Sequence, residues 1–217
     1  FLPWIGFFYK IAKSNIFVLL DDVQYTKNSY INRNLIKTSQ GAQWITVPVL
    51  HSGKFGQLIY ETKILRDISH TRKIIKTISQ NYLQAPYYNY LFPEIENIIN
   101  TRNDSLFELN QALIELICKK LEFNTVLIKS SSLLNIIGES TNRLISICKS
   151  LGAKSYLFGF GANKYQEMDL FNKNNIEATI TSFNHPTYFQ LFGSFIPNMS
   201  IIDLIFNMGP AAKNYFK

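Results

Sequence analysis

The sequence contains little cysteine and histidine, and this scarcity excludes several kinds of site. Among 217 residues there are two cysteines and three histidines, and their spacing does not match any zinc-binding pattern. Cys118 and Cys148 each lie within an apolar helical pattern. We therefore expect buried free thiols and a cytoplasmic, reducing location rather than a disulfide.

Long hydrophobic runs are also missing. No stretch approaches the roughly 20 apolar residues that a membrane-spanning helix needs, so no membrane span is expected. No secretory signal, internal repeat or low-complexity segment is visible, although the first residue is Phe1 rather than Met. With 47% hydrophobic residues, residues 1–217 are expected to form a single α/β domain.

The chain carries an excess of positive charge. Its formal net charge is +7 and its pI is about 9.3. Such an excess suits RNA, an acidic carrier protein or a phosphate-bearing substrate. The alternative is a compositional bias towards lysine, isoleucine and asparagine. The lysines are spread along the chain rather than clustered, which slightly favours the compositional explanation.

Strand and helix patterns alternate in the last third of the chain. The apolar run "IFVLL" and the later runs "TVLIK", "SYLFGF" and "IEATITSF" are of strand length, with helical patterns between the last three. This order predicts βαβ units. The expected fold class is thus α/β, with a Rossmann-like, mostly parallel sheet.

The middle of the chain predicts two further features. Residues 67–123 have helical apolar spacing and are expected to form a central helical insertion or subdomain. Before them, "QWITVPVL" and "QLIYETKIL" predict a β-hairpin joined by "HSGKFG". Pro48 indicates that the first of these strands lies at an edge or carries a bulge.

Two adjacent acids follow the first strand. Ligands of open parallel sheets bind beyond the carboxyl ends of the strands, which makes Asp21 and Asp22 candidate catalytic residues. Because neighbouring strand residues point to opposite sides, only one of the two can face a given ligand. The structural alternative is a pair of acids that ends the strand in a turn.

A polar stretch follows the two acids. Amides and phenols recognise sugar hydroxyls or a nucleobase, and an arginine can hold a phosphate through two hydrogen bonds. The alternative is a solvated loop with asparagine turns. The candidate substrate-binding residues of this stretch are Gln24, Tyr25, Asn32, Arg33, Asn34 and Lys37.

The segment "GFGANKY" supplies a second candidate stretch between a strand and a helix. Backbone amides at Gly159 and Gly161 can approach an anionic group there, although no third glycine completes a dinucleotide fingerprint. Tyr165 lies one turn into the following helix. All three residues are candidates for substrate binding.

A third candidate stretch follows the last strand. His185 is the best candidate for a general acid or base because imidazole titrates near neutral pH. The alternative is a histidine hydrogen-bonded in a turn. Tyr188 and Gln190 are candidate substrate-binding neighbours. Asp203 lies in an apolar helix and therefore requires a partner, such as Arg33, Lys37 or a backbone amide.

Together these stretches resemble the WbqC-like family of bacteria. The resemblance runs from Phe1 to about Pro210, although family members usually have a short lead before "LPW" that is absent here. It rests on the segments "LPWIGFFYKIAKS", "DDVQYTKNSYINRNLIK", "QWITVPV", "YLFGFGANKY", "HPTYFQ" and "FIPNMSIIDLIFNMGP".

The resemblance implies a role in O-antigen or other surface-polysaccharide biosynthesis. Members of the family are described as glycine (aminoacyl) transferases that act on amino sugars. A nucleotide-linked amino sugar would then be the substrate, and the aminoacyl donor would be carried by tRNA or a carrier protein. The resemblance transfers no catalytic residue to this sequence.

Two other functions stay open. One is a nucleotide-sugar-processing or nucleotidyl-transfer enzyme in which Asp21 or Asp22 holds Mg²⁺. The other is a non-catalytic binding module for RNA or a carrier protein. No cofactor or metal is expected under the transferase hypothesis.

Overall fold

The structure is a computed structural model, and it describes residues 1–51, 53, 55–65, 67–101, 104–159 and 167–217. Within these ranges the fold mixes helices with short strands. The helices are α1 (Ile5–Ala12), α2 (Ile68–Tyr82), α3 (Tyr88–Asn100), α4 (Leu106–Lys120), α5 (Ser140–Ser150), α6 (Met168–Lys173) and α7 (Ile201–Met208). The strands are β1 (Ile16–Leu19), β2 (Arg33–Thr38), β3 (Gly41–Thr46), β4 (Val126–Lys129), β5 (Ser155–Phe158) and β6 (Glu177–Ile180).

The strands pair two by two in the described part of the chain. β1 runs parallel to β4, and β5 runs parallel to β6. β2 and β3 form an antiparallel hairpin. The mixed α/β class is therefore confirmed, whereas one continuous Rossmann-like sheet is not. The alternating pattern predicted parallel pairing, but strands of four residues do not encode which pairs join.

β3 overlaps the first strand of the predicted hairpin at residues 43–46, but it pairs with β2 rather than with the second predicted strand. Arg33 pairs with Thr46, and Thr38 pairs with Gly41, whose φ of +99° suits a glycine in the turn. The predicted partners meet only through an isolated antiparallel bridge between Val49 and Ile64. A solvated loop was the alternative for the stretch with Arg33 and Lys37, but both residues lie in β2, whose buried positions are Asn34, Ile36, Lys37 and Thr38.

Local sequence signals set several helix ends correctly. Asp67 caps α2 by accepting a hydrogen bond from the Ser69 amide, and the Ser105 hydroxyl caps α4 by accepting one from the Glu108 amide at 3.3 Å. Gly152 follows α5 with a φ of +63°, as expected for a C-terminal glycine. Ser200 precedes α7, but its hydroxyl donates to the Leu2 carbonyl oxygen instead of capping the helix.

One large hydrophobic core holds α1, α2, α3, α4 and α7 together. Ile5, Phe8 and Ile11 form the buried stripe of α1, each with 0% exposure. The predicted helical segment 67–123 contributes α2, α3 and α4 to this core, and its status as a subdomain stays a prediction. A second, smaller cluster, which includes Cys148 and Phe171, packs against β5 and β6.

Both cysteines are buried free thiols, as expected. Burial raises the pKa of Cys118 to about 12 and that of Cys148 to about 11. None of the helices in the described ranges is both long and apolar enough to cross a membrane.

Candidate functional site

The carboxyl ends of β1 and β4 lie side by side. Leu19 pairs with Lys129 in the parallel register, so the segments that follow β1 and β4 leave the strand pair at the same edge. Asp21 and Asp22 follow β1, and a short 3-10 turn, Ser130–Ser132, follows β4. The rule for parallel strands thus places serine hydroxyls directly against the two acids.

Asp21 is fully occupied by the turn after β4. Its carboxylate accepts hydrogen bonds from the Ser131 amide at 2.9 Å and the Ser131 hydroxyl at 2.5 Å, and the Ser130 hydroxyl oxygen lies 3.1 Å away. Asp21 is also only 1% exposed. This residue therefore fixes the position of the turn, as a structural acid would.

Asp22 occupies a different environment, half-buried at the surface of the same edge. Its carboxylate accepts a hydrogen bond of 2.5 Å from the Ser130 hydroxyl and forms a 2.5 Å ion pair with the Arg143 guanidinium. Burial opposes ionisation, but these hydrogen bonds and the positive charge of Arg143 outweigh it, so the pKa of Asp22 is lowered. Asp22 thus carries a stable negative charge at an accessible position.

The name rim cluster is used below for Asp21, Asp22, Ser130, Ser131 and Arg143. The carboxylate oxygens of Asp21 and Asp22 already accept hydrogen bonds from serine and arginine donors. Carboxylates that hold a divalent cation instead offer their oxygens to the metal. Across the described ranges, moreover, His, Cys, Asp and Glu side chains do not gather in threes suitable for a metal ion. Because Mg²⁺ is usually held by one or two carboxylates together with substrate phosphates, the Mg²⁺ of the nucleotidyl-transfer hypothesis stays a prediction.

The glycine-rich stretch is only partly described. Gly159 follows β5, and a side-chain carbon added to it would lie 3.9 Å from the Lys10 Nζ atom. Burial lowers the pKa of Lys10. Gly161 and Tyr165 fall in residues 160–166, outside the described residues, so their predicted roles stay predictions.

Arg33 projects from the start of β2. Its guanidinium stacks over the Trp44 ring, 4.2 Å from the ring centroid. Burial raises the pKa of Tyr25, and the positive charge of the nearby Arg33 opposes this shift. Within the described residues, neither the Arg33 Nε atom nor the Tyr25 hydroxyl has a hydrogen-bond partner, although both atoms are buried. Gln24 is exposed and forms a backbone bridge with Leu58.

The side chains of Asn32 and Asn34 form hydrogen bonds with backbone carbonyl groups. The Asn32 side-chain amide donates to the Val47 carbonyl oxygen at 2.9 Å, and that of Asn34 donates to the Leu2 carbonyl oxygen at 2.7 Å. Both residues are buried. Their contacts therefore join the hairpin to neighbouring segments.

Lys37, Tyr188 and Gln190 belong to a buried network around Asp203. The Asp203 carboxylate accepts hydrogen bonds from the Tyr188 hydroxyl at 2.8 Å, the Gln190 amide at 2.7 Å and the Tyr82 hydroxyl at 2.8 Å. Burial raises the pKa of Asp203. These hydrogen bonds and the positive charge of Lys37 act to lower it, but the effect of burial is larger. The expected partner of Asp203 is thus Lys37 together with three neutral donors.

The Lys37 ammonium has a second role in this network. It donates to the Ser194 carbonyl oxygen at 2.6 Å, and Lys37 is 1% exposed. The Lys37 amide also donates to the Tyr82 hydroxyl at 3.0 Å. These contacts tie β2 to α2 and to the segment before α7.

Both ring nitrogens of His185 meet backbone groups. Nδ1 lies 2.9 Å from the Pro186 carbonyl oxygen, and Nε2 lies 3.0 Å from the Asn198 amide nitrogen, which donates to it. The proton therefore belongs on Nδ1 and the ring is neutral. Burial also lowers the pKa of His185. As a general base, His185 would first have to release the Asn198 amide.

The predicted site residues thus fall into separate groups. Among the described residues, no hydrogen bond, ion pair or ring contact joins Asp22, Arg33 and His185 directly. Sequence reasoning missed Ser130, Ser131 and Arg143. The serines could have been found, because "SSS" follows the strand "TVLIK" just as the two acids follow "IFVLL". Arg143 gave no such signal, since it lies on a helix remote in sequence.

The fold and the rim cluster together define an α/β protein with an ionised acid held at the carboxyl edge of paired strands. The chain belongs to the WbqC-like protein family, whose model matches residues 1–215, and the resemblance found from sequence is thereby confirmed. A relative from Mycobacterium tuberculosis, described as uncharacterized protein Rv1507c, is 35% identical over 219 aligned positions, covering 100% of this chain and 94% of the relative. No solved structure matches the chain.

Proposed function

We propose that this protein transfers an acyl or aminoacyl group, such as glycyl, to the amine of a nucleotide-linked amino sugar in surface-polysaccharide biosynthesis. Membership of the WbqC-like family supports a role of this kind. The observation that carries the proposal is Asp22, an ionised and partly accessible carboxylate held by Ser130 and Arg143.

The rim cluster has groups suited to the chemistry of this transfer. The sugar amine attacks the carbonyl carbon of the donor, forming a C–N bond and breaking the C–O bond of an aminoacyl-tRNA or the C–S bond of a carrier thioester. Asp22 accepts the proton released by the amine and passes it to the leaving oxygen or sulfur. Arg143 stabilises the negative charge that develops on the carbonyl oxygen.

The remaining candidates act around this centre. Arg33 binds the phosphates of the acceptor because its guanidinium has no acidic partner among the described residues. Gly159, at the end of β5, lies near Lys10, and their positive and backbone groups suit an anionic part of either substrate. The net charge of +7 suits a polyanionic donor such as tRNA or an acidic carrier protein.

The test is a transfer assay with nucleotide-linked amino sugars and with glycyl-tRNA or a glycyl thioester of a carrier protein. Mass spectrometry is expected to find the sugar nucleotide heavier by one acyl group. Asp22→Asn is expected to abolish the product, whereas Glu177→Gln, an exposed acid at the start of β6, is expected to retain it. A product altered at the phosphates instead of the amine would favour nucleotide-sugar processing. Full activity of Asp22→Asn would refute the assignment of the base.

A further inference from the structure

The hairpin presents an aromatic corner beside an arginine. Tyr30 is 57% exposed and Trp44 is 40% exposed. Their ring centroids lie 5.6 Å apart, with an interplanar angle of 52°. Arg33 stacks on Trp44 at 4.2 Å. The name hairpin platform is used below for Tyr30, Arg33 and Trp44.

The pairing register explains why this corner is open. Leu35 lies opposite Trp44, so residues Arg33, Leu35, Lys37 and Trp44 share one face of the hairpin. The Lys37 end of this face is buried in the Asp203 network. The other end, at Arg33 and Trp44, is not covered to the same extent. Two exposed aromatic rings thus lie beside a guanidinium that has no acidic partner among the described residues, an arrangement that can take up a planar, anionic ligand.

Buried polar atoms beneath the platform are also unsatisfied. The Arg33 Nε atom, the Tyr25 hydroxyl and the Asn32 Oδ1 atom are buried without hydrogen-bond partners in the described part of the chain. Tyr25 is 7% exposed and Asn32 is 5% exposed. Buried donors and acceptors normally have partners. The segment from Tyr25 to Arg33 thus holds polar atoms that the described residues leave without partners.

We propose that the hairpin platform binds the nucleoside diphosphate half of the acceptor substrate. The base stacks on the exposed face of the Tyr30 ring or of the Trp44 ring, since stacking on aromatic side chains accepts any base. The diphosphate meets Arg33, whose planar guanidinium suits phosphate oxygens. This inference rests on the proposed function for the identity of the substrate, but binding at the platform does not require transfer.

The position of the platform relative to the rim cluster fits such a substrate. Tyr25, which lies in the electrostatic range of Arg33, follows Asp22 by three residues. Three residues span at most about 11 Å between Cα atoms. The short segment from Asp22 to Tyr25 thus joins the rim cluster to the neighbourhood of Arg33.

The test measures binding of UDP, GDP, CDP and ADP to the full chain by calorimetry, with ribose 5-phosphate as a probe that lacks a base. At least one diphosphate is expected to bind more tightly than ribose 5-phosphate. Trp44→Leu and Arg33→Gln are each expected to weaken that binding about tenfold or more. Two matched controls, Phe189→Leu at an exposed aromatic and Lys154→Gln at an exposed cation, are expected to change it less than about twofold.

Three outcomes overturn the inference. The first is that no diphosphate binds, and the second is that the platform variants bind as wild type does while circular dichroism shows them folded. The third is that a single-stranded oligoribonucleotide binds far more tightly than any diphosphate, with a steep salt dependence, which would indicate an RNA-binding surface. Diphosphate binding without sugar modification would uphold the platform and refute the proposed transfer. If Trp44→Leu still modifies the sugar and its KM for the sugar nucleotide is unchanged, the proposed transfer is upheld and the platform is refuted.

Discussion

Replacement of Asp203 gives the largest stability change that the structure predicts. Its carboxylate is 0% exposed and is the shared acceptor for Tyr82, Tyr188 and Gln190. The buried Lys37 ammonium is its electrostatic partner. Asp203→Ala leaves three donors and one cation in the core without this acceptor, so the cost comes mainly from unpaired groups.

The magnitude follows from that count of lost partners. Each buried donor left unsatisfied costs about 1–3 kcal/mol, and because three donors share this acceptor we expect the free energy of unfolding to fall by about 3–5 kcal/mol in total. For a chain of this size each kcal/mol lowers the melting temperature by about 2–4 °C, so the expected shift is roughly 6–20 °C. Tyr188→Phe removes only one hydrogen bond to the carboxylate and is expected to cost about 1–3 kcal/mol.

The assay is urea unfolding followed by circular dichroism and tryptophan fluorescence, together with a thermal scan. Tyr87→Phe is the matched control because Tyr87 is 41% exposed, and it is expected to stay within about 0.5 kcal/mol of wild type. A double variant, Lys37→Met with Asp203→Leu, is expected to be more stable than Asp203→Ala, since it also removes a buried cation that would face no negative charge from Asp203. If Asp203→Ala unfolds within 0.5 kcal/mol of wild type, about the scatter of a neutral surface change, the network contributes nothing to stability and the reasoning fails.

Three further predictions concern the acids, the histidine and the thiols. Asp21→Asn is expected to lower the unfolding free energy by about 1–3 kcal/mol, because the new amide nitrogen cannot accept a hydrogen bond and the remaining oxygen has lost its charge. Asp22→Asn should impair function more than stability. Equal melting temperatures for Asp21→Asn and wild type would contradict the first expectation. Burial lowers the pKa of His185 in the folded protein below its ordinary value of 6.5. Its contribution to stability is therefore full above pH 6.5 and is lost as the pH falls through the folded pKa. In His185→Gln the unfolding free energy should depend less on pH between the folded pKa and pH 6.5, and an unchanged pH profile would contradict this prediction. Cys118 and Cys148, with pKa values of about 12 and about 11, should resist alkylation by iodoacetamide at pH 8 until urea unfolds the chain, and rapid labelling of the native protein would show that they are accessible.

The sequence by itself determined the local features of this protein. Helix starts at Asp67 and Ser105 and the C-terminal glycine at Gly152 follow from hydrogen bonds or dihedral angles that involve only a few neighbouring residues. The burial of Cys118 and Cys148 follows from apolar periodicity in the same way. Motifs spread along the whole chain were also sufficient to indicate the WbqC-like family, which the family model confirmed.

The tertiary structure decided what each polar residue does. Asp21 and Asp22 are the same residue type and are adjacent in sequence. Asp21 is nevertheless enclosed by the turn after β4, whereas Asp22 stays partly exposed in an ion pair with Arg143. Their partners lie more than 100 residues away, and the choice between them depends on how strands β1 and β4 pair. Lys37 is likewise buried by contacts with segments remote from β2.

The aromatic corner at Trp44 illustrates the same limit. The stretch around Arg33 was not predicted to be a strand, because its polar residues obscured the alternation of a short strand. Only the register of β2 against β3 brings Arg33 over the ring of Trp44. Sequence patterns encode local geometry through neighbouring residues, whereas the meeting of distant side chains depends on packing, which a single sequence does not display.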